Sequence, residues 1–231
     1  NGTGKIESQD NNQLVYTPSE AEKVSGKVNI AIITTNNGLC AAASDTSVFT
    51  INPKPVAIFS GVDSGCVKSG FPLTINLQAG PNPVAGCNYV WKVNNSVEID
   101  SLNKTSFTKV LTTANSYPMQ LIVYNAATGC VDTSSIQTST AWLTPTADFE
   151  PNKYATTIAK PYFDFNNKST PDLASNQYLW RLGIDPQTNL PRTSPLKDLR
   201  DVNFIADTAQ IPITLLVMSE KGCVDSITKY I

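Results

Sequence analysis

Apolar residues in this chain come in short runs separated by turn-forming residues. "PLTINLQ" (72–78), "QLIVYN" (120–125), "YFDFNN" (162–167) and "TLLVMS" (214–219) are rich in β-branched and aromatic residues and are bounded by Gly, Pro, Asn and Asp. That pattern predicts strands closed by tight turns. Only 17–25 and 193–201 carry even a faint helical pattern. In the first of these, "TPSEAEKV" sets Ser19 ahead of an acidic turn in the manner of a capping box, which predicts one short helical turn between strands.

The runs also recur at a fixed interval. "YPMQLIVYNAATGCVDTSS" (117–135) lies over "IPITLLVMSEKGCVDSIT" (211–228), with Cys130 and Cys223 93 positions apart. "NYVWKV" (88–93) matches "QYLWRL" (177–182), aligning Tyr89 with Tyr178 and Trp91 with Trp180. "PKPVAIF" (53–59) matches "TPTADFE" (144–150), and "VNIAIITTNNGLCAAASD" (28–45) is a weaker third copy of the Cys-containing hairpin. About seven short strands in a ninety-residue unit, with a Tyr-x-Trp strand third in order, predict an all-β fold of tandem immunoglobulin-like β-sandwich modules. In that fold Gly129 and Gly222 supply the turn before the last strand. Trp91 and Trp180 fill the space between the sheets, with Tyr89 and Tyr178 beside them. Their mid-strand positions disfavour a ligand-site role for the tryptophans. The boundaries that follow are 1–52, 53–143 and 144–231, joined by the proline-bearing linkers "INPKP" and "WLTPT". The first segment corresponds to the second half of a unit. It is expected to be either a shorter module or, by preference, the end of a repeat that begins before Asn1.

Composition narrows the chemistry. The chain has 231 residues, no histidine, a charged fraction of 16% and a net charge of −2. Without histidine there is no His-based triad and no common zinc ligand. Without a basic cluster there is no electrostatic basis for nucleic-acid binding. No run approaches a membrane span, so no direct membrane insertion is expected. The reading is of a non-enzyme without a cofactor. "VDSG" (62–65) and "DLRD" (198–201) are the only hints of a calcium site, and neither has regularly alternating oxygen ligands. Five cysteines without a Cys-x-x-Cys point away from a metal site. In a sandwich of this kind the segment before strand two often runs beside the last strand, which favours a Cys66–Cys130 disulfide, worth about 4 kcal/mol by loop entropy. Cys87–Cys130 is the rival pairing, and Cys40 and Cys223 are left without partners. The longest irregular stretch is 183–201, mildly basic through Arg181, Arg192, Lys197 and Arg200. It is the candidate contact surface.

"YLWRLG" followed by "TLLVMSEKGCVDSITKYI" resembles the polycystic-kidney-disease (PKD) repeat as it occurs in Bacteroidetes surface proteins, although "RLGIDPQ" stands where that family usually has Gly-Asp-Gly. The first segment, with its Gly-Thr-Gly start, Tyr-Thr-Pro-Ser turn and Asn-Gly-x-Cys hairpin, resembles the sister repeat of giant gliding-motility adhesins. The resemblance implies a long multi-repeat adhesin, exported by the type IX pathway and displayed on the cell surface. Its implied partners are neighbouring repeats of the same chain and an outer-membrane anchor protein or surface glycan. It also implies O-glycosylation at Asp-Ser/Thr-apolar triplets, here Ser101, Thr208 and Ser226. The competing readings are a binding module that docks a partner through 183–201, and accessory modules of a secreted hydrolase.

Overall fold

A computed structural model describes residues 3–9, 13–80, 86–157, 160–185, 188–204 and 210–231. The elements in chain order are β1 (Lys5–Gln9), β2 (Leu14–Thr17), α1 (Glu20–Ser25), β3 (Lys27–Ile33), β4 (Ser44–Thr50), β5 (Phe59–Ser60), β6 (Gly65–Val67), β7 (Leu73–Ala79), β8 (Cys87–Val93), β9 (Ser96–Val97), a 3-10 turn (Ile99–Ser101), β10 (Ser106–Leu111), β11 (Asn115–Asn125), β12 (Val131–Thr133), β13 (Gln137–Leu143), β14 (Phe149–Pro151), β15 (Tyr162–Asn167), β16 (Gln177–Ile184), β17 (Pro191–Ser194), β18 (Leu199–Asn203), β19 (Pro212–Met218) and β20 (Val224–Tyr230). The fold is all-β, of immunoglobulin-like sandwich type. By internal contacts the chain gathers into two compact units, one of 1–60, 78–107 and 119–136, the other of 61–77, 108–118 and 137–231. The three-segment division 1–52, 53–143 and 144–231 is a division of the sequence repeat.

The second unit holds the sandwich drawn most fully. One sheet has the order β14-β15-β18 and the other β17-β16-β19-β20, all antiparallel. Burial alternates along β19, where Ile213, Leu215 and Val217 are fully covered and the residues between them are not. That is the period-two signature of a strand with one face on a core. Trp180 lies at the centre, fully buried, with Phe149 and Phe165 against its ring at centroid distances of 5.1 and 5.7 Å. Its indole N–H donates to the Leu196 carbonyl at 2.8 Å, so the one polar atom of the ring is satisfied. Tyr178 is half-buried and its hydroxyl donates to Asp172.

The first unit repeats these pairings. Phe59 faces Ala79 across β5 and β7, as Phe149 faces Asn167 across β14 and β15. Trp91 faces Leu121 across β8 and β11, as Trp180 faces Leu215 across β16 and β19. Trp91 is fully buried, packs edge-on to Phe59 at 5.5 Å and donates to the Lys104 carbonyl, and Tyr89 beside it is buried too. The expected placement of both tryptophans between sheets is what the chain adopts.

The N-terminal part of that unit is a pair of two-stranded antiparallel ribbons, β1–β2 and β3–β4. Between them α1 forms the predicted short turn, with a capping box of Ser19 and Glu22. The buried Glu22 carboxylate also accepts from the Thr3 N–H and the Tyr16 hydroxyl, and the Tyr16 oxygen accepts from the Gly4 N–H. A Cβ on Gly4 would fall 2.3 Å from the Thr17 carbonyl oxygen. Thr3 and Gly4 on one side and Tyr16 and Ser19 on the other are therefore two halves of one hydrogen-bonded latch around Glu22.

Candidate functional site

The repeated Gly-Cys-Val-Asp marks the chemistry of this chain. In both copies the glycine closes a hairpin at positive φ, 70° at Gly129 and 79° at Gly222, a conformation that costs other residues. The Asn125 N–H donates to the Cys130 carbonyl and the Ser219 N–H to the Cys223 carbonyl, both at 2.9 Å. The aspartate two residues on projects from the same side of the strand as the cysteine. It accepts from the backbone of the linker that starts the sandwich: Asp132 from the Ala57 N–H and Asp225 from the Ala147 N–H, each at 2.8 Å. The cysteine sulfur lies on a linker carbonyl, Cys130 Sγ 3.9 Å from Asn52 O and Cys223 Sγ 4.0 Å from Trp142 O. Pro55 and Pro145 are buried in these same linkers. One tetrapeptide thus ties the last strand of each sandwich to the chain entering it.

The two copies differ in what meets them. Cys223 is bonded to Cys66, with Cα atoms 5.6 Å apart and a sequence separation of 157. Asp225 pairs with Lys68 at 2.7 Å. The donor strand β6 runs parallel to β13 with Cys66 opposite Trp142, and the Thr144 N–H donates to the Val67 carbonyl at 2.9 Å. Cys66 and Lys68 are two apart on one side of the chain, and so are Cys223 and Asp225. The result is a two-point clasp, one bond covalent and one ionic. The lysine and aspartate side chains are 32% and 19% exposed, so their attraction is less screened than that of a surface pair. At the other copy Cys130 is a free thiol and Asp132 pairs with Lys54 from the linker itself. Both carboxyls are held below the usual range. For Asp132 the Lys54 ammonium is the chief cause, followed by the Ala57 N–H. For Asp225 burial opposes ionisation, but Lys68 and the Ala147 N–H outweigh it.

Several expectations are corrected here. Cys66 does not pair with Cys130. Its strand aligns with Trp142 on β13, about a dozen residues beyond Cys130, and the sulfur it meets is that of Cys223, one residue before β20. Cys87 and Cys40 are also free thiols, which removes the Cys87–Cys130 alternative, and Cys223 has the partner it was expected to lack. Ser101 is fully buried and its hydroxyl donates to the Glu98 carbonyl, which closes it to glycosylation in the folded chain. Ser226 is exposed on β20, and Thr208 lies outside the described residues.

The stretch 183–201 is not one irregular loop. It contains β17 and the start of β18, which belong to different sheets. Arg181 is exposed on β16. Arg192 donates to the Asn203 carbonyl and covers the Phe204 ring, Arg200 donates to Asn166, and Lys197 is paired with Asp172. Three of the four cations are thus engaged by other groups of the same sandwich. Among the described residues no group of three or more His, Cys, Asp or Glu is placed to hold a metal, and Asp198 accepts from the Asn167 N–H. Among the described residues no helix is long and apolar enough to cross a membrane.

No protein-family model matches the chain, and no curated protein matches it. Among solved structures it is similar to the fibronectin(III)-like modules of Clostridium thermocellum CbhA, at 10% identity and a TM-score of 0.37, covering 76% of this chain and 94% of that one. It is also similar to the FN1-FN3 domains of chicken CNTN1, at 10% identity and a TM-score of 0.33, covering 88% of this chain and 75% of that one. The fold class rests on the strand pairings of this chain.

Proposed function

We propose that this chain is a non-catalytic spacer and attachment region of a secreted bacterial surface adhesin, built of a short N-terminal module (1–52) and two immunoglobulin-like sandwiches (53–143 and 144–231). The clasp of Cys66–Cys223 and Lys68–Asp225 carries the reading. A proline linker alone would leave neighbouring sandwiches to reorient, and relative motion is the default for small domain interfaces. A covalent bond and an ion pair across that linker suit a chain that must transmit force. The side chains best placed for chemistry, Asp132, Asp225 and their lysines, are all spent on holding linkers. Both tryptophans sit in closed cores rather than clefts. Long-lived disulfides belong to oxidising compartments, which supports display outside the cytoplasm.

The test is made on intact producing cells. Antibody raised against the folded chain should label them without permeabilisation, and its Fab fragments should reduce attachment of the cells to surfaces. Labelling that appears only after lysis would overturn surface display. Normal attachment under saturating Fab would overturn the adhesive role.

A further inference from the structure

The two Gly-Cys-Val-Asp copies are structural twins, yet only one is clasped. Cys130 Sγ sits 3.9 Å from a linker carbonyl, as Cys223 Sγ sits 4.0 Å from its own. Asp132 accepts the linker N–H at 2.8 Å, as Asp225 does. Both glycines take a positive φ, although the Asn125–Cys130 turn is one residue longer than the Ser219–Cys223 turn. Cys130 is a half-buried free thiol. The sequence contains a single Cys-x-Lys, at 66–68, and it is already joined to Cys223 and Asp225. The lysine now on Asp132 is Lys54, whose side chain is 66% exposed and can swing aside.

We propose that Cys130-Val131-Asp132 is the acceptor half of a second clasp, shaped for a Cys-x-Lys strand of a like module. The proposal rests on the spacer reading above and names the partner of that site. The twin at Cys223 supplies the geometry of the occupied state. The donor cysteine meets Cys130, and the lysine two residues on displaces Lys54 from Asp132. In the producing cell the two thiols give up two protons and two electrons to a thiol–disulfide oxidase and form one S–S bond. A chain with both joints occupied would be cross-linked from module to module, each sandwich receiving a donor strand at its Gly-Cys-Val-Asp turn.

The test uses the full 231-residue chain with Cys66–Cys223 oxidised. The probe is a peptide of residues 64–70, Ser-Gly-Cys-Val-Lys-Ser-Gly, its thiol carried as a 2-pyridyl disulfide. Attack by the Cys130 thiolate forms the protein–peptide bond and expels pyridine-2-thione, so no added oxidant is needed. Peptide mapping reads the initial labelling rates of Cys130, Cys40 and Cys87 in one tube. Replacing the peptide's lysine by glutamate should slow labelling at Cys130 by about fivefold and leave exposed Cys40 unchanged, the scale of one good ion pair. Lys54→Gln, a change at an exposed side chain, should widen that ratio by freeing Asp132, and Asp132→Asn should abolish it. Equal rates with both peptides at Cys130 in the wild-type and Lys54→Gln chains would overturn the proposal. Confirmation of Cys66–Cys223 in the same map would then leave the spacer reading standing. Absence of that disulfide from the unreduced chain would remove both.

Discussion

Pulling the chain from its two ends separates the observed disulfide from the one expected on sequence grounds. The perturbation is reduction of Cys66–Cys223, or the double substitution Cys66→Ser and Cys223→Ser. With the bond intact, the 157 residues it spans cannot be extended. At about 3.5 Å per residue, that hides about 55 nm of contour out of about 80 nm for the whole chain. A Cys66–Cys130 bond would hide only about 22 nm by the same measure. Optical-tweezers or force-microscope traces of single chains, with and without reductant, read the difference directly. Reduction should lengthen the fully extended chain by about 55 nm. An increase near 22 nm, or none, would refute the clasp. The same bond should matter at equilibrium. Loop entropy for a closure of this size is worth about 5 kcal/mol, comparable to the whole stability of a small domain. Because neither cysteine belongs to the core around Trp180, reduction should leave that core packed and act mainly on its opening. In a chain carrying Trp91→Phe and Trp142→Phe, the emission of Trp180 should therefore stay native in reductant without denaturant.

Two further outcomes follow from the cores and the joints. Trp180→Ala removes a fully buried indole and strands the Leu196 carbonyl, which should cost about 3–5 kcal/mol in urea unfolding while Phe149 and Phe165 lose their shared contact; a loss below 1 kcal/mol would deny the ring its central place. Asp132 and Asp225 have folded pKa values below their unfolded ones, so the stability they give is complete above the unfolded value near 4 and is lost as pH falls through the folded one; the urea midpoint should drop in acid, Asp225→Asn should flatten that drop, and an unchanged acid limb in the variant would count against the Lys68 and Ala147 contacts.

Much of the fold could be read from the sequence because period-two burial leaves a direct trace. The alternation in "PITLLVM" is the alternation of covered and open residues in β19, and the ninety-residue spacing of the two Tyr-x-Trp strands reports that two cores are built alike. The capping box at Ser19 was equally plain, since its hydrogen bonds span three residues. The clasp was missed for a different reason. Cys66 was paired with the cysteine of its own segment, which assumes that a disulfide closes the module that contains it. β6 instead runs parallel to β13 beside the outgoing linker, and parallel pairing between distant segments has no local sequence signal. The stretch 183–201 reads as a loop in the sequence because β17 is short and carries Pro191, Arg192, Thr193 and Ser194, with no apolar alternation to mark it.

A signal for the clasp was nevertheless present. Cys66-Val67-Lys68 and Cys223-Val224-Asp225 have the same spacing and opposite charges, so two strands meeting at those cysteines bring the lysine and the aspartate together without further adjustment. The aspartate has a role of its own in the copy whose cysteine is a free thiol. In both copies its carboxylate holds the entering linker through a backbone N–H, so it is needed whether or not the cysteine is bonded. The bonding of the cysteine is the part that differs between the copies, and the hold of the aspartate on the linker is the part they share. Removing Cys223 would cost the cross-link alone, whereas removing Asp225 would release both the ion pair with Lys68 and the linker at Ala147, and so should loosen the joint even in chains whose disulfide has formed.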